Sequence, residues 1–210
     1  MSLPARSSIR TAHSSRVAGI VPAAGSSRRM GAPKGLLELD GETFARRVVE
    51  ALRDGGCAPV LFVARPDDEG AAKEARASGA TVLDNPDPGP GPITSLRLAL
   101  AELDDSVTHV VWLPLDHPRV RPSTVTTLVQ EAHEHGALVT LPLHEGRRGH
   151  PAVFARALFP ELLDPRLEGG ARTVVHRHLG AARLVEVGDP GVLIDVDTPA
   201  EYRALTGEEG

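Results

Sequence analysis

Short apolar runs alternate with longer stretches of helical periodicity along most of this chain. The apolar runs predict strands at residues 17–21, 60–64, 81–83, 107–115 and 137–143. The stretches between them place apolar side chains at helical spacing and predict helices over residues 43–54, 66–78, 93–103 and 122–135. Strands that alternate with helices are typical of right-handed crossovers and of a mainly parallel sheet with helices on both faces. The pattern therefore predicts one α/β domain over residues 17–210, a Rossmann-like three-layer sandwich.

The most continuous apolar run, residues 107–115, is typical of a central strand that is buried on both faces. It is followed directly by Asp116, His117 and Pro118. Ligands of parallel α/β sheets bind at the carboxyl ends of the strands, so we expect Asp116 to face a ligand. The alternative is a carboxylate that only caps a turn.

The first predicted strand leads into a loop of small residues that is followed by cations. Five residues have side chains too small to keep a ligand away from the backbone N–H groups: Ala23, Ala24, Gly25, Ser26 and Ser27. Arg28, Arg29 and Lys34 add positive charge, and this combination suits a triphosphate. The spacing is not that of a P-loop, because Lys34 is followed by a glycine rather than by a hydroxyl residue. A strand-to-helix turn with solvated arginines is the alternative.

Composition and charge narrow the class of protein. The net charge is -5, so no basic surface is expected to bind nucleic acid or anionic lipid. Cys57 is the only cysteine, which excludes an internal disulfide and predicts a small buried apolar residue. No apolar run is long enough for a membrane span, and residues 1–16 predict a disordered tail without the apolar core of a signal peptide. We therefore expect a cytoplasmic protein.

One ordered motif makes the loop specific, namely Ala23-Ala24-Gly25-x-Ser27-x-Arg29-Met30-Gly31-x-x-Lys34. This motif resembles the opening signature of the molybdopterin cytidylyl- and guanylyltransferases, which are MobA-like NTP transferases. A second block, Gly149-His150-Pro151-x-x-Phe154, is similar to the cytidylyltransferase branch. The resemblance implies the nucleotide-diphospho-sugar transferase type of fold. It also implies an enzyme that moves CMP from CTP to a phosphorylated acceptor, most specifically molybdopterin, with release of pyrophosphate.

The resemblance also implies roles for individual residues. The nucleotide would be bound by Ala23, Ala24, Gly25, Ser26, Ser27, Arg28 and Ser95, and the catalytic residues would be Arg29, Lys34 and Asp116. The implied cofactor is Mg2+, held by Asp116 and by Asp195, with Asp197 as the second choice. Asp195 and Asp197 alternate along a predicted strand and would therefore share one of its faces. The acceptor would be bound by Arg148, His150 and Arg172. A capped turn with a structural histidine is the alternative at residue 150, and a plain helix cap is the alternative at residue 172.

The four histidines at positions 133, 135, 176 and 178 form two pairs that are each two residues apart. On a helix such pairs point to different sides, so we predict surface or core-edge histidines rather than metal ligands. Asp197 is expected to stabilise the start of the last helix, which has Pro199 at its first position.

Alternatives to the implied reaction remain open. A cytidylyl- or uridylyltransferase for a sugar phosphate or alditol phosphate would use the same loop. A noncatalytic nucleotide-binding subunit is the alternative of another class, because Pro88, Pro90 and Pro92 replace the usual small residues of the family loop. For the molybdopterin enzyme, the implied recipient of the product is a molybdoenzyme of the xanthine dehydrogenase type.

Overall fold

A mainly parallel sheet runs through the centre of the protein in the computed structural model, which describes residues 16–25 and 30–207. The strands are β1 (Arg16–Pro22), β2 (Glu38–Leu39), β3 (Glu42–Thr43), β4 (Val60–Ala64), β5 (Thr81–Asp84), β6 (Val107–Trp112), β7 (Val139–His144), β8 (Arg147–Arg148), β9 (Ala152–Ala155) and β10 (Arg183–Glu186). The eight-stranded sheet has the order β10-β7-β9-β6-β1-β4-β5, with β8 paired to β7. In it only β8 and β9 run antiparallel to their neighbours. The tail predicted over residues 1–16 lies outside the described residues except for Arg16, which begins β1.

Helices cover both faces of this sheet. They are α1 (Phe44–Asp54), α2 (Glu69–Ala77), α3 (Pro92–Ala101), α4 (Pro122–His135), α5 (Phe159–Leu163), α6 (Gly170–His178) and α7 (Pro199–Thr206). Strand β1 shows why two cores form, since Val17 and Val21 pack with α1, α2 and α4, whereas Ala18 and Ile20 pack with α3, α5 and α6. This alternation of one strand between two buried faces confirms the predicted three-layer α/β sandwich.

The strand order reverses beside β1. This strand pairs with β4 on one side and with β6 on the other, and both pairings are parallel. The chain runs from β1 through β4 to β5 on one side and then returns to β6 on the other side of β1, so a crevice opens at the carboxyl ends of β1 and β6. Ile20 of β1 lies opposite Trp112 of β6, so the segments that follow the two strands begin side by side.

Two turn predictions are confirmed around the first helix. Asp40 and Gly41 both have positive φ, 54° and 79°, and they join β2 to β3 in a short antiparallel hairpin. Thr43 caps α1 by accepting a hydrogen bond from the backbone N–H of Arg46 at 3.3 Å. Cys57 is buried, as expected for a small apolar residue.

The path of the chain before α7 differs from the prediction. Residues 190–193 form a 3-10 turn, and residues 194–197 belong to no strand. Buried Asp189 holds this turn by accepting hydrogen bonds from the backbone N–H of Gly191 and the hydroxyl of Thr124. The inference that Asp195 and Asp197 share one face of a strand is therefore wrong.

The start of α7 is also stabilised by a different residue from the one expected. Thr198 accepts a hydrogen bond from the backbone N–H of Glu201, and the Glu201 carboxylate accepts from the backbone N–H of Thr198, which completes a capping box. The Asp197 side chain instead contacts Lys34. Asp197 thus does not act as the helix cap.

Candidate active site

A cavity of about 1480 Å³ opens at the carboxyl ends of β1 and β6. Every described residue that the sequence assigned to a site lines it, namely Ala23, Ala24, Gly25, Lys34, Ser95, Asp116, Arg148, His150, Arg172 and Asp195. Ser26, Ser27, Arg28 and Arg29 lie outside the described residues. The described residues of the predicted nucleotide and acceptor sites thus share one cavity, which is larger than the several hundred Å³ typical of a single-ligand pocket.

The small residues after β1 leave backbone surface open to the cavity. The backbone N–H of Ala23 donates to the carbonyl of Val63 at 2.8 Å, which ties the start of the loop to β4. Ala24 is only 3% exposed, whereas Gly25 is exposed and an added Cβ there would meet nothing within 4 Å. A ligand can therefore approach the backbone at Gly25 without side-chain interference.

Lys34 lies between two carboxylates. Its 3-10 turn packs closely on α2, since a Cβ on Gly35 would lie 2.5 Å from the Cβ of Ala71. The Lys34 ammonium is 2.7 Å from Asp197 Oδ1 and 3.8 Å from Asp116 Oδ2. These contacts bring two carboxylates, groups that bind divalent cations, together at one place in the cavity.

Asp116 is held by the residue that follows it. His117 Nδ1 lies 2.7 Å from Asp116 Oδ1, and an ionised carboxylate can only accept, so the imidazole donates this hydrogen bond. Burial alone would raise the pKa of Asp116, but the hydrogen bond and charge of His117 and the charge of Lys34 outweigh it. The pKa of Asp116 is therefore lowered from 3.8, and the group is ionised at neutral pH.

His150 reaches the same place from β8–β9. Its ring stands edge-to-face against the ring of His117, with centroids 4.6 Å apart. Burial, and secondly the neighbouring His117, lowers the pKa of His150 to about 4, against an opposite effect of Asp116. His150 is therefore neutral at neutral pH, and its Nδ1 is buried without a hydrogen-bond partner among the described residues.

The segment 194–197 forms the wall beside Asp116. The backbone N–H of Val196 donates to the carbonyl of Asp116 at 3.0 Å, which fixes the segment against the end of β6. Asp195 is exposed and lines the cavity, whereas Asp197 is half-buried on Lys34. Of the two aspartates, Asp197 is thus the one whose carboxylate contacts the same ammonium group, that of Lys34, as Asp116 does.

Ser95 lies at the first turn of α3 and is buried. Asn85, which follows β5 and is only 1% exposed, donates to Ser95 Oγ at 3.0 Å and to Thr94 Oγ1 at 2.8 Å. The same amide accepts from the backbone N–H of Asp87 at 3.1 Å. These bonds hold the proline-rich loop 86–91 against the start of α3, beside the cavity.

Another part of the cavity is lined by cationic and apolar side chains. Arg148 on β8 and Arg172 on α6 are both exposed to solvent at its rim. Its apolar part comes from side chains that the sequence did not single out, among them Trp112, Leu141 and Ala152 of three neighbouring strands.

Two histidines of the cavity were missed as site residues. His176 lies four residues after Arg172 on α6, and this i,i+4 spacing puts both side chains on one face of the helix. The spacing was a usable signal in the sequence, but His176 was considered only as a partner of His178. His178 instead hydrogen-bonds Glu161 at 2.8 Å. The position of His117 directly after Asp116 was visible, but its contact with His150 depends on the tertiary fold.

The donor set near Asp116 matches the chemistry of magnesium. Among residues 16–25 and 30–207, no three His, Cys, Asp or Glu side chains are grouped as a metal site. Two carboxylates are nevertheless a usual protein contribution to magnesium, since this ion takes its remaining ligands from water and substrate phosphates. Asp116 with Asp197 or Asp195 could therefore hold Mg2+ in the cavity.

The crevice at the strand reversal, its open backbone loop and its carboxylates define a nucleotide-binding α/β protein of the nucleotide-diphospho-sugar transferase fold. The chain belongs to the family of MobA-like NTP transferase domains, whose model matches residues 19–182. It is thus a member of a nucleotidyltransferase family. None of the helices in the described part of the chain is long and apolar enough to cross a membrane.

The chain resembles relatives that are named for different activities. A probable molybdenum cofactor guanylyltransferase of Mycobacterium avium is 30% identical over 92% of this chain and 97% of its own length. A 2-C-methyl-D-erythritol 4-phosphate cytidylyltransferase of Saccharopolyspora erythraea is 38% identical over 60% of this chain, and the match spans only 59% of that enzyme. These names include both a guanylyl- and a cytidylyltransferase, so they do not decide the base.

A solved structure of similar sequence covers nearly the whole chain. Rv0371c of Mycobacterium tuberculosis is 30% identical over 92% of this chain and 98% of its own, with a TM-score of 0.78. A structure of Rv0371c in complex with manganese is 29% identical over 93% of this chain and 100% of its own, with a TM-score of 0.74.

Proposed function

We propose that the protein transfers CMP from CTP to the phosphate of a phosphorylated pterin, with molybdopterin as the specific acceptor, and releases pyrophosphate. The observation that carries this proposal is the single cavity in which the open loop after β1, the Lys34–Asp116–Asp197 cluster and the cationic rim of Arg148 and Arg172 meet. A two-substrate transfer needs both ligands in one space with charge between them. The family membership limits the reaction to nucleotidyl transfer.

The proposed chemistry needs no general base. An acceptor phosphate oxygen, already ionised at pH 7, forms a bond to the α-phosphorus of CTP while the bond from that phosphorus to the β-phosphate oxygen breaks. Lys34, with Arg29, stabilises the charge that develops on the leaving pyrophosphate. Neutral His150 donates a hydrogen bond to the acceptor, and Arg148 and Arg172 bind its phosphate.

Mg2+ is the cofactor that we assign to this reaction, with Asp116 and a carboxylate of the segment 195–197 as its protein ligands. When bound, the ion neutralises phosphate charge and so adds to the work of Lys34. The manganese complex of the related Rv0371c supports a divalent cation in this family fold.

The apolar wall favours a ring-shaped acceptor. Trp112, Leu141 and Ala152 offer a surface on which a flat heterocycle can lie. A polyol phosphate would leave its hydroxyl groups facing these side chains without partners, which costs free energy. A sugar phosphate or alditol phosphate is therefore the second candidate, favoured only by the exposed Arg148 and Arg172, which suit any phosphate.

The base is assigned from Ala24, since the guanylyltransferases that the loop motif resembles typically have a glycine at this position. The Ala24 methyl is buried at the cavity and narrows the space beside the loop, so a pyrimidine should be accepted more readily than a purine. One methyl group gives roughly 10- to 200-fold discrimination. We expect Ala24→Gly to reduce the preference for CTP over GTP in competition binding with Mg2+. A GTP preference in the unmodified protein would contradict the choice of base but not nucleotidyl transfer.

A pyrophosphate-release assay that crosses the four NTPs with molybdopterin and a panel of sugar and polyol phosphates tests the whole proposal. Turnover should be highest with CTP and molybdopterin. Turnover with a polyol phosphate alone would favour the second candidate. Nucleotide binding without turnover for any acceptor would leave a noncatalytic nucleotide-binding protein. For the molybdopterin product, we assign a molybdoenzyme of the xanthine dehydrogenase type as recipient.

A further inference from the structure

His117 occupies a position that is unusual for a turn residue. It is only 8% exposed, although it follows the end of the central strand. Its backbone takes part in two successive turns, since its N–H donates to the Pro114 carbonyl at 3.2 Å and its own carbonyl accepts from the Val120 N–H at 3.4 Å. The direction of the imidazole is therefore set by the fold and not by solvent.

One edge of this imidazole orients the Asp116 carboxylate. A carboxylate can rotate about its Cβ–Cγ bond over a broad range of angles. The hydrogen bond from His117 Nδ1 to Asp116 Oδ1, at 2.7 Å, selects one oxygen. The other oxygen, Oδ2, is left on the side of Lys34, 3.8 Å from its ammonium.

The ring of the same residue packs against His150. The two rings meet edge-to-face with centroids 4.6 Å apart and an interplanar angle of 69°. The backbone of His150 is fixed independently, because its N–H donates to the Val192 carbonyl at 2.9 Å. Its side chain lacks such an anchor at Nδ1, which has no hydrogen-bond partner among the described residues. Packing on His117 thus contributes directly to the position of the His150 ring.

We propose that His117 is a positioning residue with two separable functions: its Nδ1 orients the Asp116 carboxylate toward the nucleotide side, and its ring holds His150 at the acceptor side. This inference deepens the proposed function, because the assignment of a nucleotide side and an acceptor side rests on that function. The two functions use different parts of one side chain. Substitutions that keep only one part should therefore separate them.

His117→Asn and His117→Phe are the matched pair for this test. The asparagine amide can place a donor near the position of Nδ1 but removes the ring, whereas phenylalanine keeps an aromatic ring but removes the donor. His135→Asn, at an exposed histidine near the end of α4, controls for the loss of any histidine.

Two readouts do not depend on turnover. The dissociation constant for Mn2+ alone should rise roughly tenfold or more in His117→Phe, the effect of losing a hydrogen bond to a charged group, and should stay unchanged in His117→Asn. The ring-proton resonances of His150, assigned with His150→Gln, should shift in His117→Asn and change little in His117→Phe. Kinetics with the acceptor found by the pyrophosphate assay should show a raised acceptor KM in His117→Asn and a lowered kcat in His117→Phe.

A purely structural role would give a different result. Both variants would then lose thermal stability, and in both the Mn2+ affinity and the His150 resonances would change together. This outcome would overturn the proposal. Unchanged His150 resonances in His117→Asn would also overturn it. If His117→Phe does not fold, His117→Asn alone tests the proposal. Unchanged Mn2+ affinity together with shifted His150 resonances is expected only if the two functions of His117 are separable. Absence of turnover in the unmodified protein would count against the proposed function, whereas the Mn2+ and resonance results test His117 separately.

Discussion

The two roles that we propose for Lys34 oppose each other as long as no phosphate is bound. Its ammonium lies 2.7 Å from Asp197 and 3.8 Å from Asp116, the same carboxylates that we assign to a divalent cation. A fixed positive charge at this distance repels a second cation. The same charge attracts the phosphates of a nucleotide, so binding of the triphosphate would relieve the competition.

Replacing Lys34 should therefore change the affinities for metal and nucleotide in opposite directions. We expect Lys34→Met to tighten Mn2+ binding to the protein alone and to weaken CTP binding, while transition-state stabilisation falls by about 2–4 kcal/mol, the range for one preorganised donor. Titration calorimetry and kcat/KM measure the three effects. Lys73→Met, at the exposed lysine of α2, is the control. Weaker Mn2+ binding in Lys34→Met would show that the lysine organises the carboxylates instead of competing for them.

Asp116→Asn should abolish turnover and leave the fold intact. The change keeps the shape of the side chain and an oxygen that can accept the His117 hydrogen bond, but it removes the charge that a magnesium ligand needs. Activity at limiting Mg2+ should therefore be lost, whereas the midpoint of thermal unfolding should stay close to that of the unmodified protein. Near-normal activity of the variant would make Asp116 a turn residue.

The two aspartates before α7 can be separated in the same way. Asp197→Asn should weaken Mn2+ binding more than Asp195→Asn does, because Asp197 shares Lys34 with Asp116, whereas Asp195 is exposed. Manganese titrations of both variants give the comparison. A larger loss in Asp195→Asn would restore the assignment made from the sequence.

These residues show how far the sequence predicts the site. Lys34 and Asp116 follow predicted strands in ordered motifs, and the structure brings both to the cavity. The inference that Asp195 and Asp197 both face the metal depended on strand alternation, and the chain at residues 194–197 is not a strand. The contact of His117 with His150 joins residues that are distant in sequence, so local patterns contain no signal for it.

At the scale of elements, close backbone approach fixes where the chain at Gly149 and His150 meets the segment before α7. A Cβ on Gly149 would lie 2.1 Å from the Val192 carbonyl oxygen, a backbone atom that cannot easily move aside. The next residue, His150, hydrogen-bonds that same carbonyl. This junction therefore sets the distance between His150 and the wall that carries Asp197.

Gly149→Ala should destabilise the protein by about 1–3 kcal/mol, the usual cost of overpacking a closely packed site. Gly180→Ala is a matched control, because a Cβ there would meet nothing within 4 Å and its φ is not positive. Denaturant unfolding of both variants gives the comparison. Equal stability of the two would mean that the junction relaxes without cost.

Element boundaries were predictable where a local signal exists. Thr43 begins α1 as its capping position indicated, and Pro199 lies at the first turn of α7. Strand β10 (Arg183–Glu186) was not predicted, since it is a short edge strand that pairs only with β7 and buries only Val185. Its pairing partner, not its own sequence pattern, makes it a strand.

At the scale of the whole molecule, the sheet order could not be read from the sequence. Alternation of strands and helices predicts a mainly parallel sheet, and the single eight-stranded sheet between two layers of helices confirms this type. The antiparallel insertion of β9 between β6 and β7 depends on a hairpin-like return after β7–β8. This insertion brings His150, just before β9, to the end of β6, so the position of the proposed acceptor side is a consequence of topology.

The buried central strand also predicts how the whole protein responds to acid. His109 lies on β6 and is only 9% exposed. Burial, and secondly the neighbouring His133, whose ring centroid is 4.4 Å away, lowers the pKa of His109 from 6.5 to about 4. Between these two pH values the unfolded chain binds a proton at this histidine that the folded protein does not bind. The free energy of unfolding should therefore be highest above pH 6.5 and decrease as the pH falls toward 4.

His109→Gln removes this titration. The quantity to compare is the slope of the free energy of unfolding against pH, which a general loss of stability does not change. One proton contributes up to about 1.4 kcal/mol per pH unit to that slope. Urea unfolding at several pH values between 4 and 7.5 should show a shallower slope for His109→Gln than for the unmodified protein and for His135→Gln, at the exposed histidine near the end of α4. His150, with its pKa also lowered to about 4, keeps part of the slope in every variant. Identical slopes for His109→Gln and the unmodified protein would mean that the central strand takes up the proton without unfolding.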